Sequence, residues 1–130
     1  MKFNLDRFVA AQQRDFHQAL AEVKNGRKQS HWMWYIFPQL KGLGQSEMSK
    51  FYGLAGLDEA SAYLAHPILG KNLIEISNAL LDLAQSDALK IFGSPDNLKL
   101  RSCMSLFAGL PEAPPVFEKV LQKFYGNIIG

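Results

Sequence analysis

Residues 27–44, RKQSHWMWYIFPQLKGLG, decide between two fold classes. The segment HWMWYIF at 31–37 consists largely of residues that favour strands, yet Ser30 precedes it as a candidate helix N-cap and Pro38 ends it. A lone strand would leave its backbone donors and acceptors unpaired, and no other segment has a convincing strand pattern. We therefore interpret residues 31–37 as a short, mostly buried helix in an all-α domain.

The rest of the chain has helical periodicity, with apolar residues at intervals of three and four. The strongest patterns lie at 5–24 and at about 70–84, and Asn4 or Asp6 is a possible N-cap of the first helix. Together the patterns predict a compact single-domain bundle of five to seven helices over residues 1–130. The shorter predicted helices lie at 46–52, 58–65, 94–108 and 117–124, with Ser46, Asp58 and Ser94 as N-caps.

Composition excludes several classes of protein. The net charge is only +2, so the strongly basic balance typical of nonspecific duplex binding is missing and a nucleic-acid partner is unsupported. No apolar run approaches the roughly 20 residues that a membrane-spanning helix requires, so no membrane association is expected. The single Cys103 excludes an internal disulfide, and the N-terminus has no signal-peptide pattern. These features predict a cytoplasmic protein.

Familiar catalytic signatures are missing from the sequence. It contains no P-loop, no G-x-G-x-x-G, no G-x-S-x-G and no H-E-x-x-H. His17, His31 and His66 are not spaced to share one helix face, and Cys103 has no second cysteine. We predict neither a metal ion nor a cofactor.

The aromatic segment has two interpretations that the sequence leaves open. If it is helical, His31 and Trp34 share one side, while Trp32 and Gln39 lie along another. The imidazole and the indole N–H groups each need a polar partner when they are removed from water. Either neighbouring protein groups satisfy them in a core, or the segment forms the wall of a binding site.

Two basic clusters are candidates to complete such a site. One is GRK at 26–28; the other is Lys99 with Arg101, accompanied by Ser102 and Ser105. Each is ordinarily solvated surface, but ammonium, guanidinium and hydroxyl groups together suit a phosphate or a carboxylate. Indole faces suit the flat ring of a base. The combination predicts a small anionic, nucleotide-like ligand held by Trp32, Trp34, Gln39, Lys99, Arg101, Ser102 and Ser105.

The candidate for catalysis is His31, because imidazole is the side chain suited to act as a general base near neutral pH. Asp96 or Glu47 would assist it only if the fold brings them close. We expect His31, Lys99 and Arg101 to face one cavity. The competing hypothesis is a non-catalytic adaptor that docks a protein partner through an exposed aromatic patch.

Three stretches resemble the DUF1810 family, a bacterial family of unknown function: GRKQSHWMWYIFPQLKGLG at 26–44, YLAHPILG at 63–70 and IFGSPDNLKLRSCMSLF at 91–107. The resemblance implies a compact, mainly α-helical single domain and no established activity. Some members carry the label calpastatin, but this chain does not look like that disordered, repeat-built inhibitor. A looser analogy with small helical NADAR proteins supplies one enzyme hypothesis, hydrolysis of an N-glycosidic bond in an ADP-ribose-like substrate.

Overall fold

Helices make up almost all of the regular structure in the computed structural model, which describes residues 3–129, with side chains through Gly126. No sheet occurs in this part of the chain, so the prediction of an all-α fold is confirmed. In chain order the helices are α1 Asp6–Lys24, α2 Met33–Ile36, α3 Glu47–Tyr52, α4 Leu57–Ala65, α5 Leu69–Leu81, α6 Ala88–Phe92, α7 Asp96–Ala108 and α8 Val116–Ile129.

The described residues thus form eight helices, one more than the predicted maximum. The additional helix is α6, which spans only five residues and is too short to show a period in the sequence. Asp87 begins it by accepting a hydrogen bond from the Leu89 N–H at 3.0 Å. None of the helices in the described chain has both the length and the apolar character needed to cross a bilayer.

The aromatic segment is helical over a shorter stretch than predicted. Trp32, and not Ser30, occupies the N-cap position of α2, and the helix covers four residues. Phe37 already leaves the helical region, with φ −124° and ψ 71°, because Pro38 disfavours the α conformation in the residue before it. As expected, most of the segment is buried.

The structure confirms Ser46 as a helix N-cap, but not Asp58 or Ser94. Ser46 does cap α3, because its Oγ accepts a hydrogen bond from the Ser49 N–H at 3.1 Å. Asp58 and Ser94 do not cap α4 and α7, whose N-cap positions are held by Gly56 and Pro95. Asp58 lies instead in the first turn, where a negative charge interacts favourably with the helix dipole.

Helix α5 lies at the centre of the fold, in contact with α1, α4 and α8, while α7 packs on α4, α6 and α8. Close approach of α5 to α4 requires glycine at position 70, because a Cβ there would overlap the carbonyl oxygen of Leu64. One continuous hydrophobic core results, and its largest fully buried side chains include Trp32, Tyr63, Phe8, Phe37, Phe107 and Phe117.

Polar residues of α1 hold the shorter elements in place. Gln12 is buried, and its Nε2 donates to the Tyr35 carbonyl at 2.7 Å and to the Tyr63 hydroxyl at 2.8 Å. Arg7 donates from Nε to the carbonyl of Phe51 at 2.9 Å. These contacts fix α2 and the end of α3 against α1, and therefore fix the two elements that form one side of the cleft described next.

Candidate functional site

A cleft separates the N-terminal half of α7 from the segment 33–53. Its outer part is a groove of about 430 Å³, and its inner part is a narrow pocket of about 10 Å³. Gln39, Ser49 and Lys99 line both parts, so the two are continuous. The inner pocket has room for about one water molecule. Of the two parts of the cleft, the outer groove is therefore the one with space for a ligand of nucleotide size.

The segment 38–53 is shaped by a short backbone bridge. The Lys41 N–H donates to the Leu54 carbonyl at 2.7 Å, and the Leu54 N–H donates to the Gln39 carbonyl at 2.9 Å. Gly53 permits this approach, because a Cβ there would lie 2.7 Å from the Lys41 Cα. The bridge places Gln39 at the junction of the groove and the inner pocket.

Hydroxyl, amide and ammonium groups line the outer groove. Ser46, Ser49 and Ser102 contribute hydroxyls, and Lys99 contributes its ammonium group. In the first turn of α7 the backbone N–H groups of residues 97–99 already donate to the carbonyls of Gly93 and Pro95. The N–H groups of these three residues are therefore already paired within the protein.

Apolar side chains form the rest of the cleft. Leu43 and Leu98, which are 60% and 55% exposed, lie in the wall of the outer groove. Met33, Phe37 and Tyr52 line the inner pocket. The groove thus offers a ligand both apolar surface and hydrogen-bonding groups.

A row of three charged groups lies beside the cleft. The Asp96 carboxylate is 3.0 Å from Lys28 Nζ and 3.6 Å from Lys99 Nζ. Each ammonium group also lies over an indole ring: that of Lys28 is 5.3 Å from the centroid of Trp32, and that of Lys99 is 5.6 Å from the centroid of Trp34. Two positive charges and one negative charge leave this row with a net positive charge.

Trp32 belongs to the core. It is 1% exposed, and its Nε1 donates to Glu22 Oε1 at 2.9 Å. The same carboxylate accepts from the N–H groups of Gln29 and Ser30 and from the Ser30 hydroxyl. Burial acts to raise the pKa of Glu22, but these hydrogen bonds outweigh it and lower the pKa to about 2. Glu22 therefore fixes the approach to α2 as a buried carboxylate.

Four of the predicted site residues meet at the cleft. Trp34 lines the inner pocket, Ser102 lines the outer groove, and Gln39 and Lys99 line both. The predicted pairing of the aromatic segment with α7 is thus present in the structure.

The other four predicted residues line neither part of the cleft. Trp32 is buried against Glu22, while His31, Arg101 and Ser105 are exposed. The carbonyl of His31 accepts from the hydroxyl of Tyr35 at 3.4 Å, on a part of the surface that also contains Asp15. The expected cavity shared by His31, Lys99 and Arg101 is therefore not formed.

Sequence reasoning missed several groups that shape the cleft. Ser49 and Tyr52 lie in α3 without any motif to mark them. Lys28 belongs to the basic cluster at 26–28, but its partner Asp96 is distant in sequence and only the tertiary fold joins them. Within the described residues no group of three or more histidine, cysteine, aspartate or glutamate side chains is arranged to hold a metal ion.

Comparisons with known proteins identify relatives of the chain. The model of one family, described as protein of unknown function (DUF1810), matches residues 2–128, in agreement with the motifs quoted above. The crystal structure at 1.38 Å of the conserved hypothetical protein Rv1873 from Mycobacterium tuberculosis is similar, with 44% sequence identity and a TM-score of 0.92. That match covers 95% of this chain and 89% of the other. No curated protein matches the chain.

Proposed function

Because the chain belongs to the DUF1810 family, described as a protein of unknown function, we propose its function from the cleft itself. The cleft binds a small anionic, nucleotide-derived ligand between the segment 38–49 and α7. The observation that carries the proposal is the position of Lys99, which lines both parts of the cleft among serine hydroxyls and glutamine amides. These groups provide hydrogen bonds and one positive charge for an anion.

The apolar wall of the groove supports a ligand with a flat ring. Leu43 and Leu98 are exposed, so a ring between them would remove apolar surface from water. Trp34 is half-buried at the inner pocket, and its ring is already approached by Lys99. We therefore place the ring in the outer groove, and not stacked on both tryptophans as the sequence suggested.

Hydrolysis of an N-glycosidic bond is the finer form of this proposal. His31, the residue that the sequence suggested for proton transfer in this reaction, is exposed and does not line the cleft. The geometry therefore favours binding over catalysis. Incubation with ADP-ribose and chromatography of the products tests this: release of adenine that survives in a His31→Ala variant would identify an enzyme with a different proton-transfer residue.

Titration calorimetry with adenosine 5′-monophosphate, its monomethyl ester and ADP-ribose tests binding directly. We expect at least one of these to bind, and a saturating concentration about 100 times the dissociation constant to stabilise the protein by about 2.7 kcal/mol. Lys99→Met should weaken binding, and so should added salt. Lys50→Met is the matched control, because Lys50 is exposed, lies 4.0 Å from Glu47 and does not line the cleft. An equal loss of ligand affinity in both variants would refute a specific role for Lys99.

A protein partner is the second proposed function, and one observation favours it. The segment around α3 exposes Leu43, Met48, Phe51 and Leu57, with Phe51 58% exposed. The adaptor hypothesis now rests on this segment, since Trp32 is buried. If it is right, Phe51→Ser should abolish co-purification of a partner and leave nucleotide affinity unchanged. A cytoplasmic location, predicted from the single cysteine, remains part of both proposals.

A further inference from the structure

The ammonium groups of Lys28 and Lys99 share one carboxylate, that of Asp96. All three side chains are largely removed from solvent, with exposed fractions of 10% for Lys28, 18% for Asp96 and 24% for Lys99. Charges in such surroundings interact more strongly than charges on an open surface. Asp96 therefore offsets a large part of the positive charge beside the cleft.

The two lysines are not equally available to a ligand. Lys28 is the closer to Asp96, at 3.0 Å, lies over the buried ring of Trp32 and lines neither part of the cleft. Lys99 is 3.6 Å from Asp96 and lines both parts. Among the residues that the structure describes, Lys99 is the one cation in the lining of the cleft.

Arg101 does not add to this charge, although it follows Lys99 by two positions. Successive residues of a helix are about 100° apart, so the two side chains leave α7 about 200° apart. Arg101 is exposed, and its charge acts instead on Tyr125 of α8, where it lowers the pKa of the hydroxyl against the larger, opposite effect of burial. A ligand in the cleft thus meets one cation, and that cation has a carboxylate 3.6 Å away.

We infer that Asp96 determines which ligand charge the cleft accepts. A group with one negative charge is accepted, and a phosphate monoester dianion is disfavoured. This inference rests on the proposed function, because it concerns the same cleft and the same Lys99. The first negative charge of a ligand is matched by Lys99. A second negative charge on the ligand has no further cation in the lining of the cleft, and Asp96 repels it. Carboxylates and phosphodiesters therefore fit the cleft better than phosphate monoesters.

Adenosine 5′-monophosphate and its monomethyl ester test the inference in the unmodified protein. At a pH of about 7.5 the monophosphate is mostly dianionic, because its second pKa is about 6, whereas the ester has one charge. By calorimetry we expect the ester to bind about tenfold more tightly, as one unfavourable charge contact predicts. Equal affinities, or tighter binding of the monophosphate, would overturn the inference.

The variant Asp96→Asn tests the same charge preference by changing the protein instead of the ligand. It keeps the size of the side chain and removes the charge, so the preference for the ester should disappear and the monophosphate should gain affinity. Asp58→Asn is the control, since Asp58 also lies in the first turn of a helix but lines a different surface hollow. If Asp96→Asn does not fold, Lys28→Met replaces it: Asp96 then lacks one of its two cations, and the preference for the ester should increase.

The outcomes separate this inference from the proposed function. If neither ligand binds, and ADP-ribose does not bind either, the proposed function and the inference both fail. If the monophosphate binds at least as well as the ester and depends on Lys99, the proposed function stands and the role of Asp96 is refuted.

Discussion

Two tryptophans close together in the sequence have the same kind of cationic partner but different surroundings. Trp32, beneath Lys28, is buried and donates its N–H to Glu22. Trp34, beneath Lys99, is half-buried, and within the described part of the chain its N–H has no hydrogen-bond partner. Both lysines pair with Asp96, so the difference lies in the indole N–H. The indole whose N–H the protein satisfies is part of the core, and the indole whose N–H it leaves available is a candidate wall of a binding site.

The largest effect expected from this comparison is the loss of stability in Trp32→Ala. The substitution leaves a cavity beside Phe37 and Phe92 and removes the donor that meets Glu22. We expect the free energy of unfolding to fall by about 3 to 5 kcal/mol. Urea denaturation followed by circular dichroism measures it. A loss below about 1 kcal/mol, the range of surface substitutions, would contradict the assignment of Trp32 to the core.

Glu22→Gln should have the next largest effect. The amide brings two donors to a site where backbone N–H groups, a hydroxyl and the Trp32 N–H already donate, so we expect a loss of about 2 to 3 kcal/mol at neutral pH. Glu75→Gln, at an exposed position of α5, is the control.

Glu22 also predicts a pH dependence. Its pKa is lowered from 4.5 to about 2 on folding, so its contribution is complete above pH 4.5 and is lost as pH falls towards 2. Denaturation of the wild-type protein across this window should show a decrease in stability that is smaller in Glu22→Gln. Parallel curves for the two proteins would show that Glu22 does not have this pKa.

Trp34→Ala should cost less stability, about 1 to 2 kcal/mol, because the side chain is only half-buried. Its main effect should be on ligand affinity, which we expect to fall about tenfold as the wall of the inner pocket is removed. Calorimetry and urea denaturation on the same preparation separate the two effects. A stability loss as large as that of Trp32→Ala, with unchanged affinity, would remove the difference between the two tryptophans.

Lys99→Met should have the smallest effect on stability, within about 0.5 kcal/mol. Methionine substitutes for the aliphatic part of the lysine side chain, and Asp96 keeps Lys28 as a partner. Affinity for the monomethyl ester should nevertheless fall, and its dependence on salt concentration should flatten. Titrations at low and high salt measure both. Salt dependence that stays the same as in the wild-type protein would place the anion elsewhere.

The sequence predicted the helical fold, and half of the site residues that it suggested line the cleft. Apolar periodicity identified the longer helices, and Trp34 and Gln39 line one cleft with Lys99 and Ser102 of α7. The expectation that Arg101 faces the same cavity as Lys99 is wrong, and helical geometry alone separates the two side chains.

Other features could not be read from the sequence, because they depend on tertiary contacts. Glu22 lies ten residues before Trp32 in a helix whose sequence gives no sign of their hydrogen bond. Likewise, the pairing of Lys28 with Asp96 needs residues from distant parts of the chain to meet. His31 was predicted to face the cleft, but the helix that would have oriented it begins only after Trp32.

The bridge between Leu40 and Leu54 has a consequence for motion. It closes the ends of a loop that contains α3 and much of one wall of the groove, whereas the opposite wall belongs to α7, a helix packed on three others. Such a loop can open locally at a lower free energy than global unfolding requires. Hydrogen exchange at the Lys41 and Leu54 amides, which form the bridge, would then report the opening of one wall while the amides of α7 remain protected. We therefore expect the loop wall to adapt to a ligand more readily than the α7 wall, except at the end of α3, which Arg7 holds against α1.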